Sequence, residues 1–132
     1  MPNEDLMPNE IPNLWPTDLL DVQISTPLAI LKKQANDLAA VTRAVLRGHV
    51  VTESHGDTFV HKFFVVASAL DYQYQLFEVH HPLTLYPCSG YFGGRIPQEI
   101  PSEPDLINWL QHVFRDPSTH GTLASLIAQS RA

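Results

Sequence analysis

Histidine and carboxylate side chains in the middle of the chain are the first candidates for chemistry. His61, His80 and His81 lie in runs of β-branched and aromatic residues, with Glu53 and Glu78 near them in sequence. These side-chain types are ordinary zinc ligands. Adjacent residues of a β-strand point to opposite faces, so His80 and His81 do not share one ion unless the strand carries a bulge. The chain has no cysteine pair and no His-x-x-x-His spacing, and we therefore predict hydrogen-bonded or solvated histidines, with no metal ion and no cofactor.

Cys88 is the next candidate, because a thiol in a turn at the end of a strand can act as a nucleophile. Ser89 follows it, and His80 and Arg95 are close enough in sequence to complete a site. The sequence does not fix the positions of a base and an oxyanion donor, and a lone cysteine commonly packs as a small apolar residue. We assign no catalytic residue. A small enzyme or ligand-binding protein with its site near Cys88, His80 and Arg95 is the alternative function.

The first element that positions these residues is a long helix. Thr26 is suited to the N-cap and Pro27 to the first helical position, while Gly48 is the residue type expected just past a helix C-terminus. Together they predict a helix over residues 27–47. Its basic side chains are predicted to share one face: Lys32, Lys33, Arg43 and Arg47. That face serves either solubility or the binding of acidic groups, including those of the N-terminal segment.

Runs of β-branched and aromatic residues after the helix predict antiparallel strands. Thr58–Ala67 and Tyr72–His80 are separated by a short connection and are predicted to pair as a hairpin, followed by a short strand over Thr84–Cys88. Core packing explains most of the aromatic residues. Tyr72 and Tyr74 are predicted to lie on the sheet face that the helices leave bare, where they offer an apolar patch for a partner or for self-association.

Two further helices are predicted near the C-terminus. The glycines at 90, 93 and 94 match no phosphate-binding motif, and the stretch around them is predicted to be a flexible loop. Ser102 then caps a helix that ends at Asp116 and Pro117, and Ser118 caps a short last helix. The predicted fold is an α+β two-layer sandwich, in which the long N-terminal helix and the two C-terminal helices cover a three- or four-stranded antiparallel sheet. Residues 26–132 form this single domain.

Residues 1–25 differ from the domain in charge and in proline content. Five of the 14 acidic residues fall here, before the first basic residue of the chain: Glu4, Asp5, Glu10, Asp18 and Asp21. The net charge of −6 is concentrated in this segment, which disfavours an overall basic nucleic-acid binder. Apolar residues that disordered tails commonly lack are also present, including Trp15, Leu19 and Leu20. The segment is predicted to be an extended acidic arm that either packs back on the domain or docks a partner.

The function expected from these features is a non-enzymatic protein–protein interaction, as in accessory or immunity-type proteins. The expected partner is another protein, and a basic surface on it is favoured because opposite charge speeds association. A homodimer formed by sheet packing is a further alternative, and neither nucleic acid nor a membrane is expected as a partner. The predicted contact residues are Trp15, Asp18, Asp21, Lys32, Arg43, Arg47, Tyr72 and Tyr74.

Three segments carry a resemblance to known proteins: Thr26–Ala35, Phe63–Asp71 and Leu85–Pro87. Over about residues 26–130 the chain resembles a group of small stand-alone bacterial proteins without an assigned function. The resemblance implies a bacterial, intracellular protein and transfers no catalytic residue. A cytoplasmic location is also expected because the single cysteine cannot form an internal disulfide, the N-terminus lacks a secretory signal, and no apolar run of about 18 residues occurs.

Overall fold

The computed structural model describes residues 10–132, and residues 1–9 of the predicted arm, with Glu4 and Asp5, lie outside the described residues. The helices are α1 (Pro27–Val41), α2 (Glu103–Arg115) and α3 (Pro117–Ser130). The strands are β1 (Arg47–His55), β2 (Thr58–Ala67), β3 (Tyr72–Pro82), β4 (Cys88–Phe92) and β5 (Gln98–Ile100). Single 3₁₀ turns are formed by Leu19–Asp21 and Ser68–Leu70.

The strands form one antiparallel sheet in which every strand lies beside its sequence neighbour, in the order β1-β2-β3-β4-β5. Two glycines show that α1 and α2 cover the same face of this sheet. Gly48 of β1 lies against Ala35 of α1, and Gly90 of β4 lies beneath the indole of Trp109 in α2. The α+β architecture is therefore confirmed, whereas the sheet has five strands rather than three or four.

The first helix, α1, begins where the sequence predicts it and ends earlier. The hydroxyl oxygen of Thr26 caps its N-terminus by accepting the backbone N–H three residues further on, at 3.1 Å. The helix ends at Val41 because Arg43 and Ala44 adopt left-handed backbone angles, with φ of 52° and 65°. The prediction of one helix over residues 27–47 is therefore wrong in its last turn and a half.

The predicted cap residue, Gly48, lies within β1 and serves packing instead. A Cβ atom added to Gly48 would lie 2.5 Å from the Cα of Ala35, closer than folded proteins allow. The missing side chain thus lets α1 rest directly on β1.

The hairpin of β2 and β3 is present as predicted, but a bulge in β3 changes which side chains face the helices. The pairing shifts between Phe63 and Phe64, which leaves Leu76 of β3 as an extra residue. One extra residue reverses the faces of the side chains beyond it. Tyr72 and Tyr74 therefore lie on the helix-covered face, beside α3, and the prediction that they lie on the bare face is wrong.

The segment after β3 differs most from the prediction. Thr84–Cys88 was expected as a strand, but Leu85 has a left-handed φ of 80° and a cis peptide bond joins Tyr86 to Pro87. The strand β4 starts at the end of this range and continues through Gly90, and β5 pairs with it. The stretch predicted as a flexible loop is therefore a further hairpin. A Cβ atom on Gly90 would lie 2.5 Å from the indole of Trp109, which explains the glycine in this strand.

The core lies between the sheet and the helices. The stacked rings of Phe63 and Phe77 form its centre, with centroids 4.9 Å apart. Each helix contributes buried leucines around them, including Leu31, Leu106 and Leu126. Burial of these side chains holds the two layers together, at about 25 cal/mol for each Å² of apolar surface removed from water.

The last helix, α3, is longer than predicted and has a different cap. It spans 14 residues. The carboxylate of Asp116, rather than the hydroxyl of Ser118, caps it by accepting the Ser118 backbone N–H at 2.9 Å. One aspartate thus both ends α2 and starts α3.

Candidate protein-binding site

The described part of the arm, residues 10–25, is exposed along nearly its whole length. It holds seven of the twelve large apolar side chains that the described chain exposes to solvent: Ile11, Leu14, Trp15, Leu19, Leu20, Val22 and Ile24. Trp15 is 73% exposed and Leu20 is 97% exposed. Residues 10–25 do not pack back on the domain, so for this part of the arm the first of the two interpretations is not what the structure shows. A short segment with this many exposed apolar side chains is a candidate interaction site.

Two local features shape the arm. The side-chain oxygen of Asn13 accepts the backbone N–H of Trp15 at 3.1 Å, and Leu19–Asp21 form a 3₁₀ turn. Within residues 10–132, neither Asp18 nor Asp21 forms an ion pair with a basic side chain. The prediction that the acids of the arm lie across the basic side chains of α1 is therefore not met by Asp18 and Asp21.

The basic residues predicted to share one helix face occupy three different places. Lys32 and Lys33 are exposed on α1, and Arg43 is exposed in the turn that follows it. Arg47 begins β1 and pairs with Val66 of β2, so its side chain lies on the sheet face opposite the helices. A single basic stripe is not formed, because the helix ends before Arg43.

An apolar groove of about 200 Å³ opens between α1 and the two C-terminal helices. It exists because α1 packs mainly on β1 while α2 packs on β4 and β5, which leaves a gap in the helix layer. Val41, at the end of α1, is 82% exposed. The groove is lined mostly by apolar side chains: Leu38, Val41, Phe63, Val65, Leu76, Phe114 and Leu123. Sequence periodicity does not reveal this groove, since it depends on how far apart the helices pack.

The sheet face opposite the helices carries paired polar side chains rather than an apolar patch. Glu53 and Lys62 form an ion pair at 3.1 Å, and His80 contacts Glu78 at 3.1 Å. The His80 ring packs on that of Tyr91, with centroids 4.2 Å apart. None of the large apolar side chains exposed by residues 10–132 lies on this face. The arm is therefore a better candidate for docking a partner than the open sheet face.

The predicted contact residues are not gathered on one surface. Tyr72 and Tyr74 line a cleft against α3, together with Ser125 and Gln129. Tyr72 is 51% exposed there. The structure thus places the two tyrosines at α3 and the arm residues, including Trp15, beyond the start of α1.

Two buried histidines form a hydrogen-bonded pair that sequence reasoning missed. The Nε2 atoms of His61 and His81 are 2.7 Å apart. Nδ1 of His81 donates to the carbonyl of Pro82 at 2.7 Å, and Nδ1 of His61 lies 2.9 Å from the Thr52 hydroxyl. Burial lowers the pKa of His61 to about 4, so the His61 ring is neutral near neutral pH. His80 lies on the opposite face, as strand alternation predicts.

Cys88 does not have the surroundings of a nucleophile. Its side chain is 1% exposed, and its thiol donates to the carbonyl of Leu85 at 3.2 Å. Burial raises its pKa to about 11, whereas reactive thiols have lowered pKa values. His80 lies on the other sheet face and Arg95 in the turn between β4 and β5, so the structure does not assemble the alternative site from these residues.

Arg95 instead lines a separate groove of about 470 Å³ between the β4–β5 hairpin and α2. Its guanidinium donates to the Asp116 carboxylate at 2.8 Å and lies over the Phe92 ring, 4.7 Å from the centroid. Hydrogen bonds from Ser118 and then from Arg95 lower the pKa of Asp116 to about 2. Asp116 already neutralises Arg95. The remaining polar and aromatic groups that line the groove belong to Gln98, Glu99, Asp105, Asn108, Trp109 and His112.

The structure was also searched for a metal site and for a membrane-spanning helix, and the chain was compared with known proteins. Within residues 10–132, no three His, Cys, Asp or Glu side chains are placed to hold a metal ion together. None of the described helices has the length and apolar character needed to cross a lipid bilayer. Comparison with protein-family models, with curated proteins and with solved structures gave no match. The resemblance to small bacterial proteins therefore stays a prediction.

Proposed function

We propose that this chain is a non-enzymatic interaction protein whose N-terminal arm binds another protein. The observation that carries the proposal is the exposure of all seven large apolar side chains of residues 10–25. A partner that covers them removes apolar surface from water, which favours binding by about 25 cal/mol for each Å². Tryptophan is among the residue types most enriched at the energetic centre of interfaces, and Trp15 is therefore the proposed anchor.

The chemistry of the arm specifies the partner surface as an apolar groove with a basic rim. Asp18 and Asp21 flank the apolar pair Leu19 and Leu20. Carboxylates at the edge of an apolar contact favour basic groups opposite them, and they act mainly on the association rate and its salt dependence. The basic residues predicted as further contacts, Lys32, Arg43 and Arg47, lie on three different elements and remain separate candidates.

An accessory or immunity-type role in the bacterial cytoplasm completes the proposal. The resemblance to small bacterial proteins supports the origin, and the lone cysteine supports a reducing compartment. The negative net charge of −6 supports a protein partner over nucleic acid.

The test compares partner capture by the tagged wild-type protein and by two variants. Trp15→Ala removes the indole of the arm, and Leu83→Ala removes a side chain of the domain that is 77% exposed. Neither side chain belongs to the core, so both variants are expected to fold. We expect mass spectrometry to identify a protein that wild type and Leu83→Ala retain and that Trp15→Ala loses by more than about tenfold. A partner captured equally by all three proteins contradicts docking through the arm.

Charge in the same contact is tested by the double variant Asp18→Asn, Asp21→Asn. We expect it to slow capture at low ionic strength and to match wild type at high ionic strength, because salt screens exposed charges. An unchanged salt dependence removes these two residues from the proposed contact.

A ligand-binding function in the groove beside Arg95 is the second candidate. Its volume of about 470 Å³ lies within the range of about 300–1,000 Å³ found for small-molecule sites. The two tryptophans of the chain provide an internal control, because Trp109 lines this groove and Trp15 does not. Fragment screening by NMR supports the candidate if small aromatic compounds shift the Trp109 indole signal and leave that of Trp15 in place.

A further inference from the structure

We propose that the partner of the arm is a second copy of this chain, and that Trp15 of one copy enters the apolar groove between α1, Phe114 and Leu123 of the other. The inference rests on the proposed function, because it assumes that the arm is the docking segment. Two such contacts, related by a two-fold axis, form a closed dimer.

The groove has the size and chemistry for one large apolar side chain. Its volume is about 200 Å³, and an apolar cavity of about 150 Å³ holds a benzene molecule. Its floor consists of core side chains of the sheet, Phe63, Val65 and Leu76. An occupant therefore completes the core at the gap in the helix layer and also covers Val41.

Trp15 is the side chain of the arm that matches this groove. Of the described arm residues it alone is aromatic, and it is 73% exposed. Asn13 accepts its backbone N–H at 3.1 Å, and Pro12 and Pro16 restrict the backbone on both sides. A segment that is restricted in advance loses less conformational entropy when it docks.

The position of the groove favours the arm of another copy over the chain's own arm. The groove lies beside the second half of α1, and Leu38 is roughly 16 Å from Pro27 at 1.5 Å per helical residue. The arm enters α1 through extended backbone at Thr26, with ψ of 156°. To fill its own groove, it has to turn back along α1, whereas residues 10–25 are exposed and make no such turn. Exchange between two copies covers both apolar surfaces without a reversal of the chain.

Charges of both signs surround the groove. Asp37 lines it and is paired with Lys33 of its own chain at 2.8 Å. Arg43 and Arg115 are exposed next to groove residues in sequence, and within residues 10–132 neither forms an ion pair. The described arm has acids and no basic residue, so these two arginines are the side chains that its acids can approach, and exposed charge pairs of this kind affect mainly the association rate.

Sedimentation velocity of the full chain over a range of concentrations tests the proposal. Trp15→Ala removes the anchor, and Val41→Glu places a charge at the edge of the groove. Leu83→Glu is the matched control, because Leu83 is 77% exposed and Val41 is 82% exposed, yet Leu83 does not line the groove. We expect wild type and Leu83→Glu to share one dimer dissociation constant, and Trp15→Ala and Val41→Glu to raise it by more than about tenfold.

Disulfide trapping distinguishes exchange between copies from closure within one copy. A chain with Trp15→Cys is mixed with a chain carrying Val41→Cys, while the buried Cys88 is left in place. We expect oxidation of the mixture to form a covalent dimer of the two different chains. If the double variant on a single chain instead forms an internal disulfide and the mixture forms none, the arm fills its own groove and the proposal is overturned.

A wild-type protein that stays monomeric also overturns the proposal, as does a dimer that is insensitive to both Trp15→Ala and Val41→Glu. In either case, the proposed function remains if the protein captures a different protein and that capture depends on Trp15. If neither self-association nor capture depends on Trp15, the proposed function fails as well.

Discussion

A proton on the buried His61 ring is unfavourable, because both of its nitrogens already have hydrogen-bond partners and an additional charge has no solvent around it. Burial first, and then the neighbouring charge of His81, lowers the pKa of His61 from 6.5 to about 4. Between these two pH values the unfolded chain binds more protons than the folded chain. The contribution of His61 to stability is therefore present in full above pH 6.5 and is lost as the pH falls towards 4.

We expect the free energy of unfolding to decrease between pH 6.5 and pH 4, with a slope of up to about 1.4 kcal/mol per pH unit from His61. Urea denaturation at a series of pH values measures this slope. His61→Gln removes the titrating group, so its slope is smaller, while His112→Gln alters an exposed histidine and keeps the wild-type slope. Equal slopes in wild type and His61→Gln would show that His61 is not the group responsible.

Cys88 is expected to resist alkylation in the folded protein. Burial keeps the reagent from reaching the sulfur. The raised pKa of about 11 leaves little of the reactive thiolate near neutral pH. The measurement is labelling by iodoacetamide near neutral pH, with and without urea. The thiol introduced by Trp15→Cys, in the exposed arm, provides the reference rate. Labelling of Cys88 at that rate without urea would contradict its burial and would favour the alternative function, a small enzyme with its site near Cys88.

At the scale of elements, the contact between α1 and β1 depends on the absence of a side chain at Gly48. A Cβ atom there meets the backbone of Ala35 at 2.5 Å, so Gly48→Ala has to push α1 away from the sheet. We expect a loss of about 1–3 kcal/mol in the free energy of unfolding, as for other overpacked sites. Gly94→Ala is the matched control, because nothing lies within 4 Å of its added Cβ. Chemical denaturation of the two variants measures the difference, and equal stability would mean that α1 is free to shift.

Local signals predicted the elements that local interactions determine. Thr26 and Pro27 start α1, and Thr58–Ala67 forms β2 with the predicted bounds, because capping and strand propensity act within a few residues. The end of α1 was missed because Arg43 and Ala44 adopt left-handed backbone angles, which arginine and alanine rarely do. The bulge that turns Tyr72 towards α3 was missed for a related reason, since it follows from pairing with β2.

The candidate site was predictable in part. Composition alone singled out Trp15, because disordered tails commonly lack such residues, and the acids of the arm, because five of the 14 acidic residues precede the first basic residue. Whether the arm packs on the domain depends on the tertiary structure, and the sequence left both interpretations open. The groove beside Val41 had no sequence signal, since it is a space between helices whose separation is set by packing on the sheet.

At the scale of the whole molecule, the chain combines one core with an arm whose described residues do not belong to that core. The core cluster contains residues of the sheet and of all three helices, and no residue of the described arm belongs to it. The stability of an isolated copy is therefore expected to be independent of Trp15, while the affinity between molecules depends on it. A measurement at several protein concentrations distinguishes the two, because the stability of one copy does not depend on concentration and association between copies does.

Thermal unfolding provides that measurement. If native copies exchange arms, dimer formation stabilises the native state by mass action, and the Tm of the wild type rises with concentration. Trp15→Ala is expected to melt at the same temperature as the wild type in dilute solution and to show no such rise. Leu31→Ala, which removes a fully buried side chain, is expected to lose about 2–5 kcal/mol at every concentration. A lower Tm of Trp15→Ala in dilute solution would mean that the arm supports its own domain, because only a contact within one copy is independent of concentration.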